Sequence, residues 1–208
     1  MITAKKFYGL LIDVLKESEK ITVDHYWNAT DTSVARWTTY LSRAIEEDIL
    51  QGELKLKTNR EYFRIDLIGW SGNPAWQKEN EKHIGSKPCK RDSDPQLNEY
   101  HWNLEIAVEY ENDSLDWTNE VIKLCHIKCG LKVVIGYAHY EQRENDMAKL
   151  NIIADHMRKL KYGCPQKGEE FLVILGNCGR GEPYKSIDND IQSKAYIYNG
   201  TKFEPLKR

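Results

Sequence analysis

A row of carboxylates stands out in the segment WNLEIAVEYEN, residues 102–112, where apolar and acidic residues alternate. The alternation predicts a β-strand whose one face carries Glu105, Glu109 and Glu111. Like charges at this spacing repel one another, so a positive charge is expected to lie over them. A divalent metal ion is the obvious candidate, because it supplies charge and can also activate water for phosphate chemistry.

A further acid, Asp66, lies in the apolar segment FRIDLIGW, residues 63–70, which also has the character of a strand. Together with the carboxylate row it suggests a metal-dependent nuclease. Simpler interpretations stay open for both features. An edge strand with one solvated face also shows alternating acids, as at Glu105, Glu109 and Glu111, and Asp66 could be a buried structural residue held by hydrogen bonds.

The elements that must position these acids follow from hydrophobic periodicity and from turn residues. Four helices are predicted. The first covers 2–19, the second runs from Asp31 or Thr32 to about Gln51, and the last covers about 144–160. The third begins after Ser114 or Asp116, and its apolar face carries Trp117, Val121, Leu124 and Cys125. The predicted strands are 53–57, 61–70, 102–111, 131–137, 171–176 and 195–198, with a return through Phe203. Turns are expected at 58–60 and at Asn199-Gly200.

This order predicts an α/β fold with a mixed central β-sheet flanked by helices on both faces, because a meander of strands is followed by a crossover. The length of 208 residues suits a single domain, 1–208, and 40% hydrophobic residues are enough to form a core.

The order α-β-β-β-α-β resembles the restriction-endonuclease-like core of the PD-(D/E)XK nucleases, in which an Asp on one strand and a Glu/Asp-x-Lys on the next form the metal site. Here Asp66 resembles the first acid. Glu109-Tyr110-Glu111 resembles the second motif in a Glu-x-Glu variant, with Glu111 at the family's Lys position. The wider pattern, which is similar to a bacterial or phage branch of the superfamily, continues through Trp117, Glu120, Lys123-Leu124, 131–133 and Tyr137. The resemblance covers about 33–140 and leaves an N-terminal helix, 2–20, and a C-terminal α/β extension, 141–208, outside it.

The resemblance implies a Mg²⁺-dependent (or Mn²⁺-dependent) endonuclease that hydrolyses phosphodiester bonds in DNA, in a restriction or phage setting. Its metal ligands would be Asp66, Glu109 and Glu111, since Mg²⁺ needs only a few hard oxygen ligands and retains water. Glu111 could act instead as the base toward that water. Lys123 would take the role of the family's Lys from the following helix. Glu47 or Asp48 would supply the extra helix-borne acid of many members.

The substituted Lys position leaves another interpretation open, a catalytically inactive nucleic-acid-binding or regulatory protein that retains the nuclease fold. An ordinary structural or assembly protein is a third. Lys123 could equally be a surface lysine, although it shares a helix face with Glu120, with which it could pair. Asp48, which falls among the apolar residues of its helix, could simply pair with Arg36 or Arg43.

The composition adds little about partners. A net charge of -2 gives no global nucleic-acid signature. The 71–100 segment is locally basic and could track phosphates or be a solvated loop. Its relevant residues are Lys78, Lys82, Lys87, Lys90, Arg91 and Trp76. No surface pattern identifies a dimer face, so a homodimer stays open.

The five cysteines are odd in number and no secretory segment precedes them, which predicts reduced thiols in a cytoplasmic protein. Cys125 and Cys129 are four apart on a predicted helix and could belong to a zinc site, but buried free cysteines are the simpler interpretation. No apolar run reaches the length of a membrane span, so no membrane partner is expected.

Overall fold

A computed structural model of the protein describes residues 2–19, 31–62, 64–72, 102–111, 117–139, 143–160, 165–178 and 194–206. Seven strands in these ranges form one sheet in sequential order. They are β1 (Lys57–Tyr62), β2 (Ile65–Gly72), β3 (Trp102–Tyr110), β4 (Leu131–His139), β5 (Glu170–Cys178), β6 (Ala195–Tyr198) and β7 (Phe203–Pro205). β1 to β3 form an antiparallel meander, β4 and β5 continue parallel to β3, and β6 and β7 are antiparallel. The predicted mixed sheet is confirmed.

Helices cover both faces of this sheet, as predicted. They are α1 (Ala4–Glu17), α2 (Asp31–Ala44) with its π-helical continuation Ile45–Glu53, α3 (Trp117–Cys125) and α4 (Arg143–Lys159). Successive strand residues point to opposite faces, so Val133 of β4 packs with α1 and the π-helical segment, whereas Val134 packs with α3 and α4. None of the helices in the described ranges is long and apolar enough to cross a membrane.

The helix around Asp48 differs from the prediction in its winding. It extends to Glu53, but its last nine residues are π-helical, and the N–H of Leu54 donates to the carbonyl of Ile49, five residues back, at 2.9 Å. A wider turn changes which side chains share a face. Asp48, predicted to lie in the apolar stripe, is therefore exposed, while the stripe is formed by Ile45, Ile49 and Leu50.

The predicted turn at 58–60 is wrong, because these residues lie inside β1. β1 is an edge strand of the sheet, where polar side chains find partners beside the ladder. The hydroxyl of Thr58 donates to Glu46 at 2.9 Å, and Asn59 accepts a hydrogen bond from the indole N–H of Trp70 at 3.0 Å. The strand predicted at 53–57 is correspondingly displaced, since β1 begins only at Lys57.

A bulge interrupts the carboxylate strand β3. Gly69 of β2 lies opposite Ile106, but the next residue, Trp70, lies opposite Leu104, so Glu105 is the extra residue of β3. The hydroxyl of Ser71 donates to Glu105 at 2.6 Å. The bulge places Leu104 against the α3–α4 core rather than with Ile106, so the predicted alternation holds only from Ile106 onward.

The C-terminal hairpin forms as predicted. Gly200 has a left-handed φ of 93°, which glycine adopts without strain. The side-chain oxygen of Asn199 accepts hydrogen bonds from the N–H groups of Thr201 and Lys202, both at 2.9 Å. These contacts hold β6 and β7 together at the edge of the sheet.

Candidate active site

Asp66 and Glu109 come together from neighbouring antiparallel strands. Leu67 of β2 lies opposite Val108 of β3, and the next step of that register brings Asp66 to Glu109. One carboxylate oxygen of Asp66 accepts a hydrogen bond from the N–H of Tyr110 at 2.7 Å. This bond orients the Asp66 side chain and ties it to the end of β3.

Helix α3 contacts β3 and β4 and delivers two charged side chains to the same place. Its buried side rests on β4 through Trp117. A Cβ atom on Gly136 would lie only 2.6 Å from the Cβ of Trp117, so the missing side chain permits this close approach. Nearly two turns along the helix from Trp117, Lys123 Nζ lies 2.9 Å from Glu109 Oε2 and 2.5 Å from Glu120 Oε2.

A backbone carbonyl completes the surroundings of the lysine. Lys123 Nζ donates to the carbonyl oxygen of Arg64 at 2.9 Å. Arg64 lies between β1 and β2 and has a φ of 65°, a left-handed conformation that costs a non-glycine residue about 1 kcal/mol. The ammonium group thus has three oxygen neighbours from separate parts of the chain. We call Asp66, Glu109, Glu120 and Lys123 the Glu109 cluster.

Glu109 is the most perturbed member of the Glu109 cluster. Its side chain is 1% exposed, and burial raises its pKa from 4.5 to about 9. Lys123 opposes this rise, whereas the charge of Asp66 and the neighbouring carboxyl group of Glu120 add to it. Among the residues that the structure describes, no group donates a well-aligned hydrogen bond to either oxygen of Glu109. The ammonium contact therefore offsets charge but leaves the carboxyl group incompletely satisfied.

The pKa of Lys123 shifts in the direction opposite to that of most buried lysines. Burial by itself disfavours its charged form, but the close carboxyl groups of Glu120 and Glu109 outweigh that effect and raise the pKa of Lys123. Its side chain is 33% exposed, so the ammonium group lies between the buried carboxyl group and solvent. Lys123 therefore remains a cation at neutral pH.

Of the two other predicted site residues, Glu111 follows the end of β3 and Glu47 lies on the other face of the sheet. Glu111 lies one residue beyond β3, where its N–H donates to the carbonyl of Ile135 at 2.9 Å. Glu47 lies in the π-helical segment, which packs on the opposite face of the sheet, and it is exposed and paired with Arg43 at 3.2 Å. The structure thus brings Asp66, Glu109 and Lys123 together but does not bring Glu47 to them.

Glu120 was expected only as a partner of Lys123, and the structure also places it beside Glu109. The three-residue spacing on a helix was the signal for this position. The contact with the Arg64 carbonyl could not be predicted from the sequence, because backbone groups leave no sequence pattern.

Within the described segments, no group of three or more His, Cys, Asp and Glu side chains is arranged to hold a metal ion. A metal ion at this site would therefore depend on fewer side-chain ligands.

Other predicted features contribute nothing to the Glu109 cluster. The basic residues from Lys78 to Arg91, together with Trp76, lie outside the described residues. Cys125 and Cys129 carry reduced thiols, and the buried thiol of Cys129 donates to the carbonyl of Leu131 at 3.3 Å.

No protein-family model, curated protein or solved structure matches the chain.

Proposed function

We propose that the protein is a divalent-metal-dependent phosphodiester hydrolase that acts on DNA. The observation that carries this proposal is the convergence of Asp66, Glu109 and Lys123 from two adjacent strands and the following helix. An acid on each of two neighbouring strands, with a lysine beside the second, is the arrangement that the resemblance to PD-(D/E)XK nucleases implies. Lys123 takes the place of the lysine that is absent from position 111.

The topology supports the same assignment. The meander β1–β3, the helix α3 and the strand β4 parallel to β3 follow one another in the order expected of a restriction-endonuclease-like core. The Glu109 cluster lies at the end of β3, the strand at which the sheet changes from antiparallel to parallel pairing. We therefore assign the central part of this sheet to that core.

The residues present suit a hard divalent cation. Asp66 and Glu109 would hold Mg²⁺ or Mn²⁺, because each offers carboxylate oxygens and one oxygen of Glu109 has no partner in the described part of the chain. Two carboxylates suffice for Mg²⁺, since waters and a substrate phosphate complete its coordination. When bound, such an ion supplies an activated water and stabilises charge on the attacked phosphate.

The protein groups would act around that water and phosphate. Asp66 is held in position by the N–H of Tyr110, so its other oxygen keeps a defined direction. Lys123 remains charged and is positioned by Glu120 and the Arg64 carbonyl, so its ammonium group can hydrogen-bond a phosphate oxygen as negative charge develops there. Burial of Glu109 lowers the local dielectric and strengthens these interactions.

The decisive experiment is a cleavage assay on plasmid and single-stranded DNA with Mg²⁺ or Mn²⁺. We expect Asp66→Asn, Glu109→Gln and Lys123→Met each to lower the rate by about 10²-fold or more. Matched controls are Asp155→Asn and Lys128→Met, which alter a half-exposed acid and an exposed lysine away from the cluster. Metal-dependent cleavage that survives Glu109→Gln would refute the assignment.

One observation favours the alternative of a nucleic-acid-binding or regulatory protein without catalysis. The Lys123 ammonium already has three oxygen neighbours, so the acids are partly neutralised from within the chain. The same preparations separate the two proposals. DNA binding measured by fluorescence anisotropy, together with no cleavage under any metal condition, would support the alternative.

A further inference from the structure

We infer that the place now held by the Lys123 ammonium is itself a cation site, for which Lys123 and a divalent metal ion compete. Its ligands would be the carboxylates of Glu109 and Glu120 and the backbone carbonyl of Arg64. This inference rests on the proposed function but changes its ligand set, because Glu120 and the Arg64 carbonyl join Glu109 in place of Asp66.

The geometry of the ammonium group defines the site. Its three oxygen neighbours lie at 2.9 Å (Glu109), 2.5 Å (Glu120) and 2.9 Å (Arg64). They come from β3, from α3 and from the segment between β1 and β2, so they converge from different directions. Two carboxylates and a carbonyl are the oxygen types that bind Mg²⁺ and Mn²⁺, and a lysine ammonium is a compact point charge that can occupy the same position.

A second, independent observation points to a ligand at this place. Glu109 is buried to 1% exposure, and its Oε1, the oxygen other than the one that faces the Lys123 ammonium, has no hydrogen-bond partner among the described residues. A buried carboxyl group in this condition is costly unless another group completes its coordination. Lys123 removes only part of that cost, because its single charge is shared with Glu120.

Lys123 is also able to leave. Its side chain is 33% exposed and ends a flexible four-carbon stem, so the ammonium group can move to solvent without unpacking α3. The helix is held by Trp117, Val121 and Leu124, all on its buried side. Displacement of Lys123 would free an ammonium group for a substrate phosphate at the moment when the cation takes its place. Metal and DNA binding would thus support each other.

Competition has a simple quantitative consequence. If the ammonium occupies the site for about nine-tenths of the time, the apparent dissociation constant of the metal is raised about tenfold. Removing the ammonium should therefore strengthen metal binding in the absence of nucleic acid. This is opposite to the effect expected of a lysine that only supports the fold around the metal ligands.

The test is a titration with Mn²⁺ in the absence of nucleic acid. Binding is measured by calorimetry and by the paramagnetic resonance signal of free Mn²⁺. We expect Lys123→Met and Lys123→Gln to bind Mn²⁺ about tenfold more tightly than the natural sequence. Lys128→Met, the matched control, should bind as the natural sequence does. Adding Glu120→Gln to Lys123→Met should remove the gain. Circular dichroism establishes that each variant is folded.

The outcomes are distinct. Equal or weaker Mn²⁺ binding by both Lys123 variants overturns the competition, and it leaves the proposed function intact if the natural sequence binds Mn²⁺. An undiminished gain in the double variant overturns the assignment of Glu120 as a ligand. Absence of Mn²⁺ binding in every folded variant overturns this inference and also the metal requirement of the proposed function.

Discussion

The buried carboxyl group of Glu109 should make the stability of the protein depend on pH. A glutamate in the unfolded chain has an ordinary pKa of 4.5, and burial raises the pKa of Glu109 to about 9 in the folded protein. Between these values the folded state retains a proton that the unfolded state has released. The free energy of unfolding therefore falls as pH rises, so the stabilisation is complete below pH 4.5 and is lost by about pH 9.

The size of this pH dependence follows from the single proton by which the folded and unfolded states differ. Each pH unit within the window changes the free energy of unfolding by at most about 1.4 kcal/mol, so a rise from about pH 5.5 to about pH 8.5 removes up to about 4 kcal/mol. Lys123 does not alter this slope, because its pKa is raised from 10.5 and it stays charged in both states across the window. Glu109→Gln keeps the shape of the side chain but removes the titrating proton, so its slope should be flatter.

Urea unfolding followed by tryptophan fluorescence, in the presence of a chelator, measures these slopes. The natural sequence and Glu109→Gln would be compared at about pH 5.5, 7 and 8.5. Glu204→Gln, which alters an exposed acid paired with Lys202, is the control and should keep the natural slope. Parallel pH profiles for the natural sequence and Glu109→Gln would refute the raised pKa and the burial argument from which it follows.

Three further predictions concern packing, a second buried charge and metal linkage. Gly136→Ala should cost about 1–3 kcal/mol in urea unfolding and lower cleavage, because its Cβ would lie 2.6 Å from the Cβ of Trp117 and displace α3; unchanged stability would contradict the close packing. Glu169→Ala should lower the free energy of unfolding by about 3–5 kcal/mol, because the fully buried Lys132 loses the carboxylate partner that lies 2.5 Å away. Thermal unfolding measures this loss, and a value below about 1 kcal/mol would contradict the prediction. Mn²⁺ should raise the melting temperature more at about pH 8.5 than at about pH 5.5, because Glu109 must lose its proton to bind; equal shifts would count against Glu109 as a ligand.

Local patterns in the sequence were enough to predict most elements and to single out Asp66 and Glu109. The spacing of buried residues in α1, in α3 and in β4 is set by the periods of the helix and the strand, which any neighbouring surface must match. The same strand period placed Asp66 and Glu109 as polar residues within apolar runs. Such residues are rare unless something compensates their burial, which is why they could be singled out from sequence alone.

Tertiary structure decided everything that depends on register and on backbone winding. The bulge at Glu105 and the π-helical turns after Ala44 change which side chains share a face, and neither has a periodic signal in the sequence. Asp48 and Glu47 were consequently misplaced by a regular helical wheel. A period assigns a side chain to a face but does not determine its neighbour across the fold. The approach of Lys123 to Glu109, and the turn of the Arg64 carbonyl toward it, arise only when α3 packs on the sheet.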